Sequence, residues 1–141
     1  KRKGSAEWKG GLKDGKGSLT VGERAWQGSY SFGSRFEEGQ GTNPEELIGA
    51  AHAACFSMAL SAGLERAGYK PTRVATTAEV ELRAGEEGPS ISTITLRTEG
   101  EVPGIDEKMF REQAEQAKKN CPVSKALTGV DIELDARLVG R

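Results

Sequence analysis

A chain of 141 residues is one domain by length, and folding at that size buries roughly two-thirds of the surface exposed by the unfolded chain. Its 20 Lys and Arg nearly balance 21 Asp and Glu, with no basic stripe interleaved with aromatics, which argues against a nucleic-acid partner. The longest apolar run, Leu47–Leu64, is broken by His52, Ser57, Ser61 and two glycines and does not read as a membrane span, and no basic-then-apolar leader opens the sequence, so the cytosol is the expected compartment.

Taken in order, the glycine-rich opening contains three period-2 patches, Ala6–Lys9, Ser18–Val21 and Gly28–Phe32, with Asp14-Gly15 and Val21-Gly22 as turns between them. An antiparallel meander is expected, followed by a loop from Gly33 to Gly41. Gly10-Gly11 and Gly15-x-Gly17 lack the strand-to-helix setting of a phosphate loop and read as turns. Asn43-Pro44-Glu45-Glu46 then announces a helix: Asn43 caps, Pro44 suits the first helical position, and Glu46 stands where a capping box places its carboxylate. This helix should reach Ala67 and stop at Gly68. Small or apolar residues cover both of its faces, which predicts a buried helix. Thr72–Ala84 and Pro89–Val102 alternate as two strands around Gly85–Gly88. Asp106 caps a second helix, Glu107–Asn120; a helical turn, Pro122–Leu127, and a final strand, Val130–Leu138, follow. The class is α+β, an antiparallel sheet packed on a long buried central helix, within a single domain covering residues 1–141. The hydrophobic share of 35% is low for a self-sufficient core, so further burial at a subunit interface would complete it.

The two cysteines carry most of the chemistry. In a cytosolic chain a structural disulfide is disfavoured, so paired thiols point to redox chemistry or metal binding. Cys55 lies inside the first helix, where a lone cysteine ordinarily serves as a small hydrophobe. Cys121 ends the apolar stripe Phe110, Ala114, Ala117 of the second helix, so its sulfur points inward and can meet Cys55. It also precedes Pro122 at the start of the next turn, where unpaired N–H groups favour a thiolate. Peroxide reduction needs an attacking sulfur, a cation beside it, and a second thiol to condense with the sulfenic acid. Arg35, in the loop before the helix, is a candidate cation, though a loop arginine alone is ordinarily solvated. Glu46 is the carboxylate that would orient it, besides its capping role. Nine residues separate Glu46 from Cys55, or ~13.5 Å of helical rise on opposite faces, so a site using both takes them from two subunits. His52, one turn before Cys55, makes half a metal site or a Cys-His pair. One histidine and two cysteines are too few soft ligands for zinc, and no Asn or Asp orienter is visible nearby, so packing is its expected role.

The run Thr42-Asn43-Pro44-Glu45-Glu46-Leu47-Ile48-Gly49-Ala50-Ala51-His52-Ala53-Ala54-Cys55-Phe56-Ser57 closely resembles the signature of the OsmC/Ohr family of osmotically inducible and organic-hydroperoxide-resistance proteins. Asn120-Cys121-Pro122-Val123-Ser124 resembles the family's second-cysteine motif, and the Ile-Gly-Ala-Ala-His run and Val123 place the chain nearer the OsmC branch. The resemblance implies an intertwined homodimer with active sites at the subunit interface. It implies a peroxidatic Cys55, a resolving Cys121, and Arg35 with Glu46 activating the thiolate, with no metal or organic cofactor. It implies organic hydroperoxides as preferred substrates, hydrogen peroxide as a poorer one, and a dithiol reductant such as a lipoylated protein. On that sketch Arg35 lowers the Cys55 pKa, and Ile48, Met58, Phe36 and Phe110 wall the site with apolar surface. Two other classes compete: a non-catalytic carrier that keeps the fold, and a thiol hydrolase using Cys55 with His52 as base.

Overall fold

Glycine turns and alternating side chains shape the first of two units, Lys1–Leu47; the second runs from Ile48 to Arg141, and the computed structural model describes residues 1–141. In the first unit β1 (Gly4–Lys9), β2 (Lys16–Val21) and β3 (Trp26–Tyr30) form the expected antiparallel meander in that order. Leu19 is buried, and the rings of Trp8 and Tyr30 lie 5.4 Å apart. A Cβ at Gly17 would strike both rings, so the strand between them carries none. The expected loop after β3 contains a short helix instead, α1 (Phe32–Phe36). Ser31 caps it reciprocally: its hydroxyl accepts from the Ser34 amide at 3.1 Å, and the Ser34 hydroxyl accepts from the Ser31 amide at 2.8 Å.

The long helix, α2 (Pro44–Arg66), begins in the first unit and continues into the second. Asn43 Oδ1 accepts from the Glu46 amide at 2.8 Å, as its capping role predicts. At the other end Gly68 adopts φ +95°, and the Tyr69 and Gly68 amides close back on the Leu64 and Glu65 carbonyls at 2.9 and 3.0 Å. That doubly bonded stop requires a left-handed residue, which glycine supplies without strain.

In the second unit β4 (Arg73–Gly85), β5 (Gly88–Glu101) and β6 (Asp131–Gly140) form one sheet in that order. The α+β class stands, but the sheet is not antiparallel throughout. β4 and β5 form an antiparallel hairpin, whereas β6 joins β5 in parallel, with Ile94 beside Ile132 and Leu96 beside Leu134. A parallel pair needs a crossover, supplied here by α3 (Glu107–Asn120) and α4 (Pro122–Ala126). Asp106 caps α3 by accepting from the Met109 amide at 2.8 Å.

The core of this unit joins Phe56, Leu60 and Leu64 of α2, Ile94 and Leu96 of β5, and Phe110, Ala114 and Ala117 of α3. The apolar stripe of α3 therefore faces inward as its spacing predicts, and Cys121 is buried at its end. Phe110 does not line a substrate wall: it is wholly buried, its ring occupying the space a Cβ on Gly100 would need. The expectation of a buried α2 holds for one face only. Ala50, Ala51 and Ala54 are exposed, and Met58 is 75% exposed. The helix is apolar on both sides, but one sheet covers one side. Despite its interruptions, α2 is also long and apolar enough to cross a membrane by length and composition, with a mean hydropathy of 1.6. Its covered face nevertheless belongs to a packed core, and Gly49 lies so close to β4 that a Cβ would sit 3.1 Å from the Ala78 carbonyl oxygen.

Candidate active site

Within the first unit, α1 and the start of α2 fix a guanidinium. The Ser34 hydroxyl donates to the Thr42 carbonyl at 2.7 Å, and Asn43 Nδ2 donates to the Ser34 carbonyl at 2.9 Å, tying the two segments together. On this frame Arg35 stacks over the Phe36 ring, 5.4 Å from its centre. Its carboxylate partner is Glu45 and not Glu46. Arg35 Nη2 and Nε donate to Glu45 Oε1 at 2.7 and 3.1 Å, and Nε also lies 3.3 Å from Oε2. Glu45 is buried at 8% exposure, which strengthens a charge-assisted fork of this kind. Glu46 faces elsewhere, accepting from the Thr42 hydroxyl at 2.9 Å. Neighbouring residues on a helix point about 100° apart, so only one of the two carboxylates can meet Arg35. The signal was in the sequence: the capping position already occupied Glu46, leaving Glu45 free for another role.

Within the second unit the two cysteines come together. Cys55 is half-buried, Cys121 is fully buried, and both are free thiols near enough that each shifts the other's ionisation. Burial and the contact with Cys121 push the Cys55 thiol up, against a smaller opposing pull from the Val123 amide. Burial opposes ionisation of Cys121 as well. There, however, hydrogen bonds from Cys55, from the amide and hydroxyl of Ser124 and from the Val123 amide outweigh it, and its pKa falls. Within this unit Cys121 is thus the more readily ionised thiol of the pair, whereas the expectation from the sequence lowers Cys55; the sulfur with more donors is the better acid.

His52 is fully buried, and burial lowers its pKa, so it is neutral near pH 7. Its Nε2 lies 2.8 Å from Ser124 Oγ. That bond goes to the serine and not to Cys55, which removes the geometric basis for a Cys55–His52 hydrolase. Ser124, quoted above only as part of a motif, is therefore a residue to which the sequence assigns no role. Elsewhere in this unit, a cleft of about 440 Å³ on the sheet is lined by Thr77, Arg97, Glu99, Asp135 and Arg137. Its charges are already matched, with Arg97 at 2.6 Å from Glu79 and 3.5 Å from Asp135, and it contains no thiol.

The family model for OsmC-like proteins matches residues 37–135, which take in α2, both cysteines and the whole second sheet up to Asp135. The chain belongs to the OsmC-like family. Similarity extends beyond the matched segment. Peroxiredoxin OsmC of Escherichia coli K12 is 49% identical over 138 residues, 97% of this chain and 96% of that protein. An organic hydroperoxide resistance protein of Xanthomonas axonopodis pv. citri is 35% identical over 98 residues, 68% of this chain and 67% of that protein. Among solved structures, the organic hydroperoxide resistance protein OhrB of Bacillus subtilis superposes with a TM-score of 0.77 at 26% identity, covering 95% of this chain and 97% of that one. For an OsmC-like protein, then, the described geometry comprises one thiol pair and one arginine–glutamate fork.

Proposed function

We propose that this chain is a cysteine-based peroxidase that reduces organic hydroperoxides to alcohols and works as a homodimer. The observation that carries this reading is the contact between two free thiols from distant parts of the sequence, one of them accessible and the other buried. The printed names of the relatives support the same chemistry.

In the proposed cycle the thiol pair loses one proton to solvent and the remaining proton sits on Cys121, leaving a Cys55 thiolate. This sulfur attacks the terminal oxygen of the hydroperoxide; the O–O bond breaks, and the alkoxide takes a proton from solvent to leave as the alcohol. The sulfenic acid on Cys55 then condenses with the Cys121 thiol, forming the S–S bond and releasing water. A dithiol, such as a lipoylated protein, attacks the disulfide, and both protein thiols are restored as the reductant is oxidised. A reducing compartment such as the cytosol supplies that dithiol.

Arg35 is the cation that draws the charge to Cys55, and Glu45 takes the orienting role first assigned to Glu46. Glu45 stands ten residues before Cys55, or ~15 Å of helical rise, and on that separation the Arg35–Glu45 pair serves the Cys55 of a second copy. The uncovered apolar face of α2 supports such an assembly, because a contiguous exposed patch of this kind marks an interaction site.

The test is consumption of cumene hydroperoxide and of hydrogen peroxide with dithiothreitol, wild type beside Cys55→Ser. Turnover that requires Cys55 and favours the organic peroxide is expected. Absence of turnover by protein whose Cys55 is demonstrably reduced would overturn the reading.

A further inference from the structure

Beyond the thiols, a buried histidine is hydrogen-bonded to the residue that contacts the second of them, and nothing in the cycle above uses it. His52 of α2 and Ser124 of α4 are both buried, and their side chains meet at 2.8 Å. The direction of that bond follows from the other ring nitrogen. Nδ1 is buried and has no hydrogen-bond partner. A neutral imidazole carries one N–H, and an orphaned buried N–H is rarer and costlier than an orphaned acceptor. On that ground we assign the proton to Nε2, so that Nε2–H donates to Ser124 Oγ. A hydroxyl that accepts from the histidine keeps its own O–H free, and Ser124 is buried at the third position of α4 with the buried Cys121 at its N-cap, where the hydroxyl acts to lower the Cys121 pKa. The chain of donors runs one way, from His52 through Ser124 to the Cys121 sulfur.

We propose that His52 is a positioning residue for the resolving sulfur: by donating to Ser124 it fixes the serine hydroxyl as a donor aimed at Cys121, so that this sulfur carries negative charge as the disulfide closes and opens. The proposal rests on the peroxidase reading for its place in the cycle. Two steps depend on it. In condensation the Cys121 S–H proton passes to the departing hydroxide of the Cys55 sulfenic acid, and charge grows on Cys121 as its sulfur attacks. In recycling, a reductant thiolate attacks Cys55, the accessible sulfur of the pair; the S–S bond breaks and Cys121 leaves as the thiolate, with Cys55 held in a mixed disulfide. The second reductant thiol then releases Cys55 as a thiolate. A leaving sulfur of lower pKa departs faster, so a donor on Cys121 accelerates the opening. The groups acting on Cys121 are Cys55 of α2 and Val123 and Ser124 of α4, while α3 presents only the Ala117 carbonyl, which accepts from the Cys121 amide at 2.9 Å.

The experiment is an ultraviolet titration of the Cys121 thiolate in the Cys55→Ser background, where Cys121 is the one remaining thiol. It is paired with the single-turnover opening of the Cys55–Cys121 disulfide by dithiothreitol in chains that keep Cys55. Ser124→Ala and His52→Leu should each shift the Cys121 titration upward by about one pH unit, a tenfold loss of thiolate at a given pH below the transition, and slow disulfide opening several-fold. His52→Gln, which keeps an N–H at comparable reach, should restore both toward the parent values; a purely structural role for His52 would not predict that rescue. Titrations that superimpose in variants with native circular dichroism would overturn the proposal. If His52→Leu does not fold, Ser124→Ala and His52→Gln decide alone, and an unmoved titration in Ser124→Ala overturns it. Consumption of the first equivalent of hydroperoxide by the wild type separates the two claims. Its absence defeats the peroxidase reading, while the titration judges the His52–Ser124 chain independently of activity.

Discussion

The arginine–glutamate fork of the first unit and the thiol pair of the second are built by different means. Arg35 and Glu45 are close in sequence, and a short capped helix with a few side-chain hydrogen bonds brings them together. Cys55 and Cys121 are far apart in sequence, and a packed core with a parallel crossover brings them together. The fork depends on a local hydrogen-bond frame and keeps Arg35 partly in solvent; the thiol pair depends on burial, which also governs its protonation. On the proposed reading, a redox pair must be kept from wrong partners, while the cation that serves a second copy must be presented outward.

The largest expected effect bears on which carboxylate belongs to the fork. Glu45→Gln should cut kcat/KM for an organic hydroperoxide by about 100-fold, because a mis-set guanidinium acts like a misplaced catalytic group. Glu46→Gln, whose partner is the exposed Thr42 hydroxyl, should stay within about twofold, as surface substitutions do. Steady-state kinetics on the two variants side by side would reverse the assignment if the order were reversed. Next comes the link between the two regions. Met58→Lys places a charge on the uncovered face of α2 and should weaken self-association by about tenfold or more, the scale of a hot-spot residue. Sedimentation across a concentration series reads this directly, and an unchanged association constant would place the interface elsewhere. The smallest effect isolates the scaffold of the thiol pair. Asp106→Ala removes the α3 cap and should cost about 1 kcal/mol in urea unfolding. A loss well above that would mean the cap does more than close α3.

Much of this was legible in the residues. Period-2 runs gave all six strands to within two residues at each end, and the Phe110, Ala114, Ala117 spacing placed Cys121 inward. Asn43 and Gly68 marked both ends of α2. The misses have physical causes. α1 is five residues long and contains Gly33, so no periodicity could announce it; the Ser31-x-x-Ser34 spacing that caps it went unread. The direction of β6 is set by tertiary pairing, although a strand, a helix and a strand in succession is the pattern that permits a parallel pair. Glu46 was the expected orienter, with capping as its competing role, yet its carboxylate turns to the Thr42 hydroxyl and Glu45 meets Arg35. The uncovered face of α2 was misjudged because composition tells which surfaces are apolar, not how many of them one chain can cover. Ser124 was invisible as a functional residue, since its significance lies in His52, remote in sequence.

The parallel joining of β6 to β5 also orders events during translation. The β4–β5 hairpin can form once its own residues have left the ribosome, but the other edge of β5 stays unpaired until β6 has emerged. Cys121 likewise emerges long after Cys55, beyond both strands of the hairpin. On the proposed cycle, a nascent chain therefore spends part of its synthesis with Cys55 and no second thiol, and a peroxide met then can carry Cys55 past the sulfenic stage into irreversible oxidation.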